Sequence, residues 1–160
     1  MITILGPTLD AHISGSFHLL KNLLNGSMKA VPDISLNIVD VRDVADLHIR
    51  AMLIPEAGGQ RFIASADGQI SLPEIAALLR NKRPLVSRLV ATRRLPAWIL
   101  RLGSLVSHQA KEALLFIRMN RNVSNQKART VLGWSPIATQ EETLLASVDS
   151  LVKYNLIKAY

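Results

Sequence analysis

Asn37-Ile38-Val39-Asp40-Val41-Arg42-Asp43-Val44-Ala45-Asp46-Leu47-His48 is the stretch on which the fold turns. Its opening, continuing from Leu36, is apolar and β-branched and reads as a strand. At Asp40 the pattern changes. That carboxylate suits an N-cap, and Asp43 brings a second acceptor and negative charge to the positive end of the helix dipole. A helix is therefore predicted from Asp40 to about Ile54, ended by Pro55. Val44, Ala45, Leu47, Ile49, Ala51, Met52 and Leu53 spread around most of its circumference, as in a helix packed on more than one side. His48, set among them, is predicted to be buried and hydrogen-bonded.

Working outward, Met1 to Leu5 is a second strand candidate, closed by Gly6-Pro7. Phe17, Leu20 and Leu24 recur at helical spacing until Asn25-Gly26 stops them. On the other side, Gly58-Gly59 turns the chain into Arg61 to Ala64, a third strand candidate. Ser71-Leu72-Pro73-Glu74 is a capping box with proline in the first turn, and Ile75, Leu78 and Leu79 follow as one apolar stripe. Leu95, Trp98, Ile99, Leu102 and Val106 mark another helix. Ser107 caps the next, with Ala110, Ala113, Leu114 and Ile117 inward, and Ser124 caps a short one ending at Gly133, after which Trp134 anchors it. Thr139 and Glu142 form a second capping box ahead of a regular stripe of Leu144, Leu145, Val148, Leu151 and Val152.

Strand, helix, strand, helix, strand and then a helical tail make an α/β chain whose strands should pair in parallel. Residues 1–70 are expected to hold the strands and residues 71–160 a mainly helical lobe, the two packed as one unit. A chain of 160 residues, 49% of them apolar, can fill a core of its own. It has no cysteine, which excludes a disulfide framework and thiolate metal ligands and fits the cytoplasm. No apolar run is long enough and free enough of charge to span a membrane. The net charge of +7 comes from scattered basic groups, with only three Phe, two Tyr and two Trp available to stack on bases. A solvated basic face, not a nucleic-acid interface, is the expectation.

Three segments, in order, resemble the extended short-chain dehydrogenase/reductase family, which includes NAD-dependent epimerases and dehydratases. Ile4-Leu5-Gly6-Pro7-Thr8-Leu9 is similar to the strand and Gly-Pro that lead into that family's substrate loop. The stretch quoted first looks like its V-D-V-x-D-V-A-x-x-H. Ser124-Asn125-Gln126-Lys127-Ala128-Arg129 with Leu132-Gly133-Trp134-Ser135-Pro136 is similar to its closing S-N-x-K-A-R…L-G-W-x-P. The dihydroflavonol-reductase-like and aldehyde-reductase-like branch looks nearest. The resemblance implies the C-terminal portion of a Rossmann-type parallel sheet with a helical substrate-binding lobe. The parent reaction would be reduction of an aldehyde or ketone by NADPH or NADH. There is no G-x-x-G-x-x-G opening a helix, and the family's catalytic Ser and Tyr-x-x-x-Lys precede the Gly-Pro segment. A dinucleotide-binding half is thus expected upstream of Met1, with no cofactor bound and no catalysis by this chain alone.

By the same resemblance, Pro7, Thr8, Leu9 and Ile13 are the candidate substrate-binding residues, forming a pocket wall for a small carbonyl compound. Tyr154 and Lys158 spell Y-x-x-x-K, but their place after the closing signature marks a frayed helix end. Asp10, His12 and Ser14 or Ser16 hold the residue types of a hydrolase triad without a nucleophile elbow, and His12 and His18 lack metal-ligand spacing. No catalytic, cofactor-binding or metal-ligating residue is expected here. With sheet neighbours absent, the chain is expected to self-associate.

Overall fold

The structure, a computed structural model, describes residues 2–95 and 122–158. In chain order these form β1 (Ile2–Leu5), α1 (Gly15–Leu24), β2 (Val31–Pro32), β3 (Ser35–Asp40), α2 (Val41–Leu53) and a 3-10 turn (Pro55–Ala57). They continue with β4 (Ile70–Ser71), α3 (Leu72–Lys82), β5 (Arg94–Leu95), α4 (Gln126–Leu132) and α5 (Gln140–Lys153). Of the helix predicted on Leu95, Trp98, Ile99, Leu102 and Val106, Leu95 ends β5 and the rest lies outside the described residues, as does the helix predicted after Ser107.

β1 and β3 pair in parallel, with Ile2 opposite Asn37 and Leu5 opposite Asp40. β4 adds to the other edge of β3 in the antiparallel sense, and β2 and β5 make a separate parallel pair. Among the described residues the order β1-β3-β4 leaves β1 on an edge. Arg61 to Ala64 does not become the predicted third strand. The N–H of Ala66, at 2.9 Å from the Ile38 carbonyl, ties that region to β3. The segment belongs instead to α4. Lys127 Nζ stands 5.3 Å from the Phe62 ring centre, and Asn125 Nδ2 donates to the Ser65 carbonyl at 2.8 Å.

The main core draws on both sides of residue 70, joining Leu5, Leu20, Ile38, Leu72, Ile75, Leu144 and Leu151. A smaller one unites Leu47 of α2 with Ala57, Ala128, Leu132 and Trp134. The anchor predicted at Trp134 is present: its side chain is buried and Nε1 donates to the Asp43 carbonyl at 3.0 Å. Gly133 stops α4 at φ 58°, in the left-handed region that glycine enters without a Cβ clash. Arg50 Nη1 donates to that glycine's carbonyl at 2.9 Å, placing a cation at the negative end of α4.

Two expectations for α2 need correction. Its covered face is narrow: Leu47 is buried, whereas Val41, Ile49, Met52 and Leu53 stand exposed. Apolar composition gave the helix's appetite for neighbours but not which sides have them. His48 accordingly is exposed, its Nδ1 lying 2.7 Å from the Val44 carbonyl one turn back.

Candidate functional site

In a parallel sheet the carboxyl ends of the strands are where loops open a cleft. Here β1 runs into Gly6-Pro7 and β3 ends at Asp40, side by side. Gly6 has φ 124°, and a Cβ there would sit 2.9 Å from Asp40 Oδ1, so the crossing requires glycine. Asp40 is fully buried. Its oxygens accept from Arg42 Nε and Nη2 at 2.8 Å each and from the Arg42 backbone N–H at 2.9 Å. Burial alone would push this carboxyl's pKa up, but the Arg42 side chain and N–H, with Thr143 beside it, hold it below the ordinary value. The N-cap role predicted for Asp40 is thus present.

Asp43 does something else. It is fully buried, and Oδ1 accepts from the Ile137 N–H at 2.7 Å rather than from its own helix, while Oδ2 has no hydrogen-bond partner. Burial, with the Asp40 charge adding, raises its pKa against the pull of the Ile137 and Ala138 N–H groups. The second acceptor expected for α2 is therefore a clasp between that helix and the segment after Trp134.

The loop beyond β1 is held by α5. The Gly6 N–H donates to Ser147 Oγ at 2.7 Å, the Thr8 N–H to Ser150 Oγ at 3.1 Å, and the Tyr154 hydroxyl donates to the Leu9 carbonyl at 2.6 Å. Ser147 sends its own proton to the Thr143 carbonyl at 2.7 Å, which turns a lone pair toward Gly6. Reading the leucine stripe of α5 missed these hydroxyls, although Ser147, Ser150 and Tyr154 fall at one-turn spacings on a single face.

Above this loop lies an open cleft of about 730 Å3. Pro7, Thr8 and Leu9 line it together with Ile4, Phe17, Val41 and Ala45, so its walls are mainly apolar. Ile13, grouped with them in the sequence, is not in the wall; it packs against the main core. Arg42 reaches the cleft with its guanidinium already committed to Asp40. A cavity of about 790 Å3 lies by the N-termini of α3 and α5; three of its carboxylates are engaged by the fold, whereas Gln140 Oε1 has no hydrogen-bond partner. Glu74 and Glu142 close the two capping boxes, and Asp67 binds Arg129 at 2.7 Å.

Asp10, His12, Ser14 and Ser16, which hold the residue types of a hydrolase triad, also line the apolar cleft. His12 Nδ1 lies 3.4 Å from Asp10 Oδ2 with both side chains exposed, and Ser14 caps α1 without a side-chain bond. No group of three or more His, Asp or Glu among the described residues could hold a metal ion. Tyr154 is not a frayed end: it caps α5, and Asn155 turns the chain at φ 55°. The helix stops before Lys158 could stack on the tyrosine's turn, so the Y-x-x-x-K geometry does not form. Among the described residues no glycine-rich loop opens a helix, and the N–H groups of Gly6 and Thr8 are taken by Ser147 and Ser150. No described helix is long and apolar enough to cross a membrane.

No family-wide profile matches the chain. It is 34% identical over 88 residues to cinnamoyl-CoA reductase 1 of Arabidopsis thaliana, covering 54% of this chain and 26% of that protein. To the ketoreductase azaE of Aspergillus niger it is 37% identical over 75 residues, 45% of this chain and 22% of that one. Its fold matches the crystal structure of the yeast methylglyoxal/isovaleraldehyde reductase Gre2 complexed with NADPH, with TM-score 0.69 and 19% identity, over 96% of this chain and 42% of that one. The chain thus spans well under two thirds of each of these proteins. The α/β arrangement is that of a Rossmann-type fold.

Proposed function

We propose that this chain is the substrate-binding part of an NAD(P)-dependent oxidoreductase of the extended short-chain dehydrogenase/reductase superfamily, reducing an aldehyde or ketone; its similarity to two reductases supports the reading. The nicotinamide cofactor, when bound, supplies the hydride. On this reading the cofactor's diphosphate and the proton donor are held by residues outside these 160, and the chain alone is inactive. The observation that carries the reading is the apolar cleft at the carboxyl ends of β1 and β3, floored by the loop through Pro7, Thr8 and Leu9. An uncharged carbonyl compound suits it, since Arg42 is neutralised by a buried partner and no other cation in the wall is fixed to receive an anion.

The test is calorimetric titration of the 160-residue chain with NADPH. Dissociation constants in the millimolar range or weaker are expected; micromolar binding would contradict the proposal. A second reading, a non-catalytic interaction domain, draws on the open edge of β1. The two part at the cleft, because only the first expects small ketones to perturb Thr8, Val41 and Ala45.

A further inference from the structure

Resting on that reading of the cleft, we infer that Tyr154 is a positioning residue for the carbonyl pocket, its phenol acting as the outermost latch on the loop that forms the pocket floor. Three side chains on one face of α5 hold three successive points of that loop: Ser147 takes Gly6, Ser150 takes Thr8, and Tyr154 takes Leu9. The first two contacts are embedded in the molecule. The third is its exposed end, and it is the one of the three in which α5 donates and the loop accepts.

Beyond Leu9 the chain is loosely held. The Leu9 side chain is 97% exposed, and Asp10, Ala11 and His12 are exposed in turn, until Ile13 returns to the core. A single hydrogen bond therefore sets where the rim of the cleft departs from its floor. The tyrosine is itself fixed. It caps α5, Asn155 reverses the backbone immediately after it, and Lys153 Nζ lies 5.1 Å from its ring centre. The latch controls how far Leu9 stands from Val41 and Ala45 across the opening, and so the width available to a substrate. Tyr154 touches neither substrate nor reacting atoms on this account; it acts through the Leu9 carbonyl.

The experiment compares wild type, Tyr154→Phe and Ser150→Ala in the 160-residue chain. Amide hydrogen exchange over residues 8–13 is expected to quicken by roughly fivefold or more in Y154F and S150A, with peptides from β3 and α3 unchanged. In parallel, acetophenone, a neutral aryl ketone, is titrated by NMR. It should shift amides of Thr8, Leu9, Val41 and Ala45, with affinity lowered about threefold in Y154F at an unchanged melting temperature. Unaltered exchange at 8–13 in Y154F would overturn the latch, whatever the ketone does. So would faster exchange spread over the whole chain, since Tyr154 would then be a general stabiliser. If acetophenone shifts no cleft amide in wild type, the substrate reading fails, and the exchange data decide the latch alone.

Discussion

Asp43 and Asp40 are three residues apart at the head of one helix, both fully buried, and their acidities are displaced in opposite directions. Asp40 has a guanidinium to face; Asp43 has two backbone N–H groups and one oxygen with no partner. The pH consequences differ in sign. For Asp40, with its pKa lowered, the folded state gains as pH rises through the ordinary carboxyl value and loses that gain as pH falls through the lower folded one. For Asp43, with its pKa raised, the folded state keeps the proton longer. Its contribution is greatest below the ordinary value of 3.8, declines as pH climbs toward the folded value, and is constant above it. Asp43→Asn keeps an oxygen for Ile137 and removes the charge. Its melting temperature relative to wild type should therefore improve from pH 4 upward and then level off; a difference that stays flat with pH would refute this. Such behaviour was not legible in the sequence, where Asp40 and Asp43 read alike as helix-start acceptors. What separates them is the partner each meets when buried: Asp40 has the Arg42 guanidinium, whereas the Ile137 N–H, reached across 94 positions, does not offset the cost of burying Asp43.

The elements that the sequence announced correctly are those whose signals are local. Ser71 with Glu74 and Thr139 with Glu142 each close a reciprocal capping box, as their three-residue spacing predicts. Thr139→Ala should cost about 1 kcal/mol, read as a lower urea midpoint at unchanged slope. Gly133 and Trp134 were equally legible, one for its backbone freedom and the other for its bulk. The misreadings share a different cause. Arg61 to Ala64 has strand composition, yet its neighbours Asn125, Lys127 and Arg129 draw this stretch onto α4. Those same side chains explain the S-N-x-K-A-R segment as structural: Arg129 bonds Asn125 at 3.0 Å and Asp67 at 2.7 Å, so the motif's polar groups serve to seat residues 62–67. On α2 the apolar residues were identified and their covering overestimated, because periodicity describes a helix and not its surroundings.

For the whole molecule, large apolar residues stand exposed, among them Ile4 and Val41 in the cleft wall and Ile49, Met52 and Leu53 further along α2, with Met52 85% exposed. Surfaces of this kind attract partners, and another copy of the chain is the one always available. We expect association in the micromolar range by sedimentation velocity, reduced by Met52→Glu; a monomer at all concentrations would refute it. The bonds between α5 and the loop after β1 have one more consequence. Gly6 and Ser147 are 141 positions apart, so the loop that Ser147 steadies is synthesised long before its support. On a ribosome adding about 5–20 residues per second, that loop waits roughly 7–28 s. The floor of the cleft is thus among the last regions of the nascent chain to take shape.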